Sequence, residues 1–374
     1  MPQPGHHVPT TICPARSTAS ASRQIASRRA LGINHMHRKK FWAPAALALS
    51  AALALAGCGS QDTPSTESTS EQAQESSAPS APEELTFEDN HGSHTLAVPP
   101  TSVVALDNRT FQTLSDWDIK LSAAAVSLMP DTIDYTKDSS IVDIGVHREP
   151  NLELLVAAKP DLVVTGQRFG GYYEDIIKLV PDATVIELDP REDQPFDAEL
   201  KRQATVLGDI FGKQAEAKKL GDDLDAAVAR VKAAYDPAQS VIAVNVSGGE
   251  IGFISPDHGR TLGELQRLLG LTPALTIENA TDNHEGDEVS VEAIADSNPA
   301  WILVMDRSAA IDSDNPEFKP AAEIIEGSEA LQNVDAVKSG QVLYMPNDTY
   351  INEGIQTYTK FLNTFADALE AAKK

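Results

Sequence analysis

Residues 213–235, KQAEAKKLGDDLDAAVARVKAAY, decide the fold. They hold strong helix formers almost throughout, a single internal glycine (Gly221) and apolar positions at helical spacing. About 23 residues at 1.5 Å rise each make a rod of roughly 35 Å. That is long for a helix packed inside one lobe, and it falls near the middle of the folded part of the chain. It is expected to be a strut between two lobes.

On both sides of the strut, short apolar runs alternate with helical periodicity. Strands are expected at 103–106, 162–165, 184–188, 241–246, 302–305 and 342–344. Helices are expected at 110–117, 151–158, 172–179, 197–211, 260–269, 290–297 and 355–372. Strand–helix alternation argues for α/β units with mostly parallel sheets. The predicted organisation is an N-terminal lobe over 85–212, a connecting helix over 213–236 and a C-terminal lobe over 237–374. An internal echo supports two similar lobes. Asn151-Leu-Glu153 leads through Pro160 into Asp161-Leu-Val-Val164, and Ser290-Val-Glu292 leads through Pro299 into Ala300-Trp-Ile-Leu-Val304. In each, a Glu is followed seven residues later by a Pro and then by a buried strand. A ligand would then sit between the lobes, at the C-terminal ends of the parallel strands.

The front of the chain speaks to its compartment. Arg38, Lys39 and Lys40 precede an apolar run over 41–56 that ends in Leu55-Ala56-Gly57-Cys58. About 15 apolar residues fall short of the roughly 20 that span a bilayer. A basic segment, a short apolar segment and small residues before a cleavage point read as a secretory signal over 36–57. Leu-Ala-Gly-Cys resembles a bacterial lipobox, in which the thiol of Cys58 would be lipidated (diacyl glycerol and palmitate) at the new N-terminus. A buried Cys in an apolar segment is the alternative. Residues 1–35 fit no part of such a signal, and Met36 stands where a compact one would begin, so 1–35 are expected to be an over-extended start. Residues 58–84, rich in Ser, Thr, Gln, Glu and Pro, cannot bury enough surface to order themselves and read as a tether from the lipid. With Cys13 and Cys58 the only cysteines, the mature chain has no disulfide, Cys metal site or redox pair. The expected location is the extracytoplasmic face of the cell membrane.

Charge narrows the ligand. The formal net charge is −25. Without the first 57 residues it becomes −32, from 23 basic and 55 acidic residues. Such a chain repels nucleic acid, and an anionic ligand needs a local cluster of cations. Four of the nine mature arginines follow expected strands or sit in glycine-containing loops: Arg109, Arg168, Arg260 and Arg307. Guanidinium is always charged and forks onto carboxylate or catecholate oxygens. Solvated loop arginines are the competing explanation. His284 and Tyr350 lie in polar loops, and imidazole and phenolate are both ligands that iron(III) accepts, although lone loop residues of these types are more often plain surface.

From about residue 85 to 374 the chain resembles the helical-backbone (class III) substrate-binding proteins of siderophore ABC importers. Within them it is similar to the branch that takes ferric catecholates of the enterobactin and petrobactin type. The likeness rests on Val103-Val-Ala-Leu-Asp-Asn108, on Asn151-Leu-Glu through Lys159-Pro-Asp-Leu-Val-Val164, on Gly259-Arg260 opening a helix, on Val304-Met-Asp-Arg-Ser-Ala-Ala310 and on Tyr350 after a Tyr-Met-Pro strand end. It implies that Arg168, Arg260 and Arg307 hold the anionic catecholates. His284 and Tyr350 would complete the iron sphere when the siderophore supplies only four donors. Glu153 and Glu292, one per lobe, would dock on the ABC permease, which works with its ATPase; first-turn helix Glu favoured by the helix dipole is the plain alternative. Here Arg168 stands one place further from Gly166 than in the family's loop, and His284 lies one residue further from Glu292. The implied protein is a monomer with no intrinsic cofactor. A ferric tris-catecholate of about −3 charge suits two or three arginines in a partly desolvated cleft, and neutral hydroxamate complexes should bind poorly.

Other cargoes on the same fold are haem, cobalamin, a hydroxamate siderophore or a bare metal ion, the last wanting several convergent His and carboxylates. A lipid-anchored enzyme or an adhesin is the rival of another class. The sequence carries no Gly-x-Ser-x-Gly, His-Glu-x-x-His or strand-following Gly-x-Gly-x-x-Gly, so the chain is expected not to be an enzyme.

Overall fold

A computed structural model describes residues 83–373. The expected extra start (1–35), signal segment (36–57), Cys58 and nearly all of the tether lie outside the described residues. Strands β1 (Glu83–Glu88) and β2 (Ser93–Val98) form an antiparallel hairpin at the start of this region.

Two five-stranded sheets follow. The first contains β3 (Val103–Ala105), β4 (Ala123–Ala124), β5 (Val142–Asp143), β6 (Leu162–Thr165) and β7 (Thr184–Glu187), all parallel, in the order β5-β4-β3-β6-β7. The second contains β8 (Val241–Ser247), β9 (Glu250–Ile254), β10 (Asp287–Glu288), β11 (Trp301–Asp306) and β12 (Val342–Tyr344), in the order β10-β9-β8-β11-β12. Both sheets are therefore wound alike: the first strand to enter is central, the next two lie on one side and the last two on the other. This is the α/β, two-lobed architecture expected from the alternation. The second sheet departs from parallel at β9, which runs antiparallel to β8 and to β10. The cause is the two-residue turn Gly248-Gly249, with φ of +59° and +89°, a conformation that glycine adopts without cost and that folds a strand straight back on its neighbour.

The central strands are apolar on both faces, as buried parallel strands must be. Along β11, Trp301, Leu303 and Met305 join the large core shared with the helices, whereas Ile302 and Val304 join a second core on the opposite face. The sheet positions of the echoed units agree as well. β6 and β11 are both the fourth strand of their sheets. Each is preceded by a left-handed residue before proline, Lys159 (φ +47°) and Asn298 (φ +40°).

Helix Gln214–Ala234 follows the first sheet and precedes the second. Its 21 residues make about 32 Å. It buries Leu224, Ala227, Val228 and Val231 against helices Phe196–Phe211 and Ile355–Ala372. The last helix, within the 237–374 segment expected to form the second lobe, also touches the first lobe. Its first turn reaches the first lobe, where Gln356 Nε2 donates to Thr113 Oγ1 (3.1 Å) and Asp116 (3.3 Å). The Tyr358 ring packs edge-on against Phe196 at 5.0 Å. Further along, Phe365 packs on Trp301 of β11 at 5.7 Å, and Arg230 of the strut bonds Asn363 and Asp367. Two helices, not one, tie the lobes together. Among the described residues no helix is long and apolar enough to cross a membrane.

Phe361, on the last helix, is buried in the large core beside Phe365. Phe361→Ala is expected to destabilise the fold by about 3–5 kcal/mol through lost burial and the cavity left behind. Urea unfolding followed by far-UV circular dichroism checks this, and a loss under 1 kcal/mol would show that the packing of the last helix into the core is not a main support.

Candidate functional site

The loops at the C-terminal ends of the parallel strands face each other across a cleft. Arg168 lies in the 3₁₀ turn Gln167–Tyr172 after β6, and Arg307 opens the short helix Arg307–Ile311 directly after β11. Arg260 precedes Thr261, which caps helix Leu262–Leu269 through a reciprocal bond pair with Glu264. Tyr350 lies in the turn Thr349–Ile351 after β12, and His284 in the loop before β10. These five residues come together. A cavity of ≈ 270 Å³ is lined by Arg168, Arg260, His284 and Tyr350, with His147 and Arg148. An adjoining cavity of ≈ 650 Å³ shares His147, Arg148, Arg168 and Tyr350 and adds Arg307.

Tyr350 is the centre of the arrangement. The Arg168 guanidinium stands over its ring at 4.7 Å and that of Arg307 at 5.0 Å, a doubled cation–π contact. Arg168 also donates to the Tyr350 carbonyl (2.8 Å). The His284 ring lies 6.3 Å from the Tyr350 ring. Arg307 donates to Ser247 (2.8 Å) and lies 3.1 Å from Glu285. Arg260, exposed, pairs with Asp282 at 3.0 Å. Arg168 and Arg148 form no ion pair among the described residues. The Nε donors of Arg168 and Arg307 are buried without a partner.

Arg109 does not line the cleft. It follows β3, the central strand, where the chain is deepest, and only 6 % of it is exposed. Its guanidinium turns beneath the cleft to lie 4.0 Å from Glu353. Burial opposes its charge most strongly, yet Glu353 together with Tyr358, Glu264 and Asp189 outweighs this and raises its pKa. Around it lies a buried polar group under the cleft floor. Burial, and then the neighbouring Asp189, push the Asp107 carboxyl well above the usual carboxylate range, and burial raises Asp189 and Glu264 as well.

His147 and Arg148 are the cleft residues that sequence reasoning missed. They follow β5, a two-residue strand whose residues are both exposed, so no apolar run marked it. The short run Ile141-Val-Asp-Ile144 before Gly145 was the available signal. Burial and then the charges of Arg168 and Arg148 lower the His147 pKa. Burial and Arg307 lower that of His284, against the opposing pull of Glu285. Both shifts favour the neutral imidazole. Among the described residues no cluster of three or more His, Cys, Asp or Glu is placed to hold a metal ion.

Glu153 and Glu292 are exposed and occupy the same place in helices Leu152–Ala157 and Val291–Ser297. Their N-caps, Asn151 and Ser290, accept from Leu154 N (3.4 Å) and Ala293 N (3.2 Å). Cys58 lies outside the described residues.

Two like-wound lobes tied by long helices, with a polar cleft between strand ends, define a ligand-binding protein. The chain belongs to the periplasmic binding protein family, which it matches over residues 103–349. It is 25 % identical over 331 residues to the petrobactin-binding protein YclQ of Bacillus subtilis, covering 87 % of this chain and 97 % of that one. It is 28 % identical over 270 residues to the ferric-anguibactin-binding protein FatB of Vibrio anguillarum, covering 71 % and 81 %. In fold it superposes on the crystal structure of YclQ (TM-score 0.66, 24 % identity, 77 % of this chain and 99 % of that one). It does the same on the catecholate-siderophore binding protein VctP of Vibrio cholerae (TM-score 0.66, 21 % identity, 76 % and 100 %).

The electrostatics predict a titration. NMR of the two cleft imidazoles should give midpoints below the free value of about 6.5. Arg168→Ala should raise that of His147, and Arg307→Ala that of His284. A His147 midpoint unmoved by loss of Arg168 would mean that the guanidinium does not face the ring in solution.

Proposed function

We propose that this protein captures an iron(III)–siderophore complex of the catecholate type in the cleft and delivers it to the permease of an ABC importer. The observation that carries this reading is the set of cations. In a chain with 55 acidic residues, Arg148 and Arg168 face the cleft without a carboxylate partner among the described residues, and Arg168 and Arg307 converge on one tyrosine ring. Like charges held this close repel, and an anion of about −3 charge relieves the repulsion in a partly desolvated site. The unpartnered Nε atoms of Arg168 and Arg307 are donors still to be matched by acceptors. The kinship with proteins named for binding petrobactin and ferric anguibactin supports the cargo.

In this reading Arg168, Arg260 and Arg307 hold the catecholate oxygens. His284 and Tyr350, neighbours on the second lobe's side of the cleft, add two donors to a ferric ion that arrives with only four. The cargo brings most of its own coordination sphere, so a two-residue contribution suffices. The protein acts as a binder and not as an enzyme, as the binding proteins related to it suggest. Glu153 and Glu292, exposed at matching places on the two lobes, dock on the permease. The lobes divide as 85–212 and 237–374 about the connecting helix 213–236, with the last helix serving both. Residues 36–57 are the signal, and Cys58 carries the lipid that holds the monomer on the extracytoplasmic face of the membrane, supported by the basic, apolar and Leu-Ala-Gly-Cys sequence there.

Fluorescence quenching with ferric catecholate, ferric hydroxamate, haem and cobalamin tests the reading. Selective saturation by the catecholate is expected, with affinity falling at least about tenfold in Arg168→Ala or Arg307→Ala, each a charge-assisted contact of roughly 1.5–3 kcal/mol. Saturation by a different cargo alone would overturn the catecholate assignment. With a tetradentate ferric bis-catecholate, a visible charge-transfer band should weaken in Tyr350→Phe; an unchanged spectrum removes Tyr350 from the iron. Glu153→Ala combined with Glu292→Ala should abolish iron uptake by cells while leaving ligand affinity intact, and normal uptake would remove both residues from docking.

A further inference from the structure

Glu353 divides its two carboxylate oxygens between the lobes. Oε1 accepts from the Thr261 hydroxyl at 2.5 Å, on the second lobe. Oε2 accepts from the Gln167 side-chain amide, on the first lobe, with Arg109 Nη2 4.0 Å away. Glu353 is 5 % exposed and Thr261 2 %. The bonds are therefore made out of bulk water, where a charge-assisted hydrogen bond is strongest.

The two residues it holds share an uncommon backbone. Gln167 has φ +37° and Thr261 φ +53°. Non-glycine residues seldom adopt this region, and a β-branched threonine least of all. Such conformations persist only where surrounding contacts impose them. Each is also the covalent neighbour of a cleft arginine, in Gln167-Arg168 and Arg260-Thr261. The next residue explains how Glu353 comes so close to the first lobe. A Cβ on Gly354 would lie 2.9 Å from the Arg109 carbonyl oxygen, so only glycine permits this approach.

We infer that Glu353 is a positioning residue, a crossbar that sets Arg168 and Arg260 at a fixed separation across the cleft by clamping the residue beside each. This rests on the assignment of those two arginines as ligand-binding. The crossbar prepays the ordering of both loops before ligand arrives, which is where pre-organised sites gain affinity. Glu353 acts through its neighbours, because both of its oxygens are already engaged.

The test combines hydrogen exchange with a mutant cycle on the full chain. In Glu353→Ala, amide exchange should quicken at least about tenfold in peptides covering 166–169 and 259–263, with β6 and β8 unchanged. Affinity for iron(III) tris-(2,3-dihydroxybenzoate) should fall about tenfold in the otherwise wild-type protein, and less than about twofold when Arg168→Ala and Arg260→Ala are already present. Unchanged exchange, or a loss that simply adds to that of the arginines, overturns the crossbar. Should Glu353→Ala not fold, Glu353→Asp keeps the charge but cannot reach both partners, and must quicken exchange at the same two loops. Tighter binding in Glu353→Gln would mean that the carboxylate acts by repelling the ligand, and also overturns it. If the wild-type protein binds no ferric catecholate, the cargo assignment fails while the exchange measurement still decides the crossbar.

Discussion

Helix Ile355–Ala372 lies along helix Gln214–Ala234, and the cleft depends on that packing. Both helices run from the first lobe toward the second. The last helix is hydrogen-bonded to Thr113 and Asp116 at its start, and Arg230 of the strut reaches its far half at Asn363 and Asp367. A hinge made of loops opens by changing a few φ and ψ angles. Two long helices packed along each other and bonded through Arg230 resist this, because a change of lobe angle shears a close-packed seam. The separation of the strand ends across the cleft is therefore a property of the core.

A fixed cleft makes electrostatics the means of selection. The protein cannot wrap a poorly matched ligand by closing far over it, so the charges must already stand where the ligand's oxygens will be. Neutral His147 and His284 belong to the same logic. Burial and the adjacent guanidiniums keep them unprotonated, so the positive charge of the site resides on arginines, whose charge does not change with pH. Below the floor, Asp107, Asp189 and Glu264 are pushed toward their neutral forms by burial. These three buried carboxyls thus cancel less of the cleft's positive field than their number suggests, while Glu285 and Asp282 pair directly with Arg307 and Arg260.

Much of this was legible in the sequence. The strands at 162–165 and 342–344 and the helix at 355–372 fall where apolar periodicity put them, because burial on one or both faces is what the period records. The cleft arginines Arg168, Arg260 and Arg307 were found because each follows a strand or opens a helix, and topology brings those positions together. Arg109 satisfied the same local rule and still went elsewhere. It follows the central strand β3, and Glu353, distant in sequence by more than two hundred residues, draws its side chain under the floor. No local pattern carries that partner. His147 was missed for a complementary reason: β5 is held by pairing with β4 alone, its two side chains are exposed, and it leaves no hydrophobic run. The role of the last helix in both lobes was equally hidden, since an amphipathic stripe states that a face is buried but not against what.

The repeated winding shows what the two-lobe plan constrains and what it leaves free. β6 and β11 share their place in the sheet, their capped preceding helix and a left-handed residue before proline. The backbone course that delivers Arg168 and Arg307 to the cleft is therefore set twice by the same means. The lobes differ where the second strand enters. In the first lobe β4 arrives parallel after a helix, and the loop after β5 carries His147 and Arg148. In the second lobe the Gly248-Gly249 turn sends β9 straight back, and the long excursion after Ile254 carries Arg260 and His284. The symmetric elements supply the one arginine per lobe that converges on Tyr350, and the asymmetric ones supply His147, Arg148, Arg260 and His284 of the cleft lining. Specificity within such a fold is then expected to change through the loops after β5 and β9 while the β6 and β11 ends stay as they are. A substitution in those loops does not disturb a core strand, whereas the strand ends cannot move without the core.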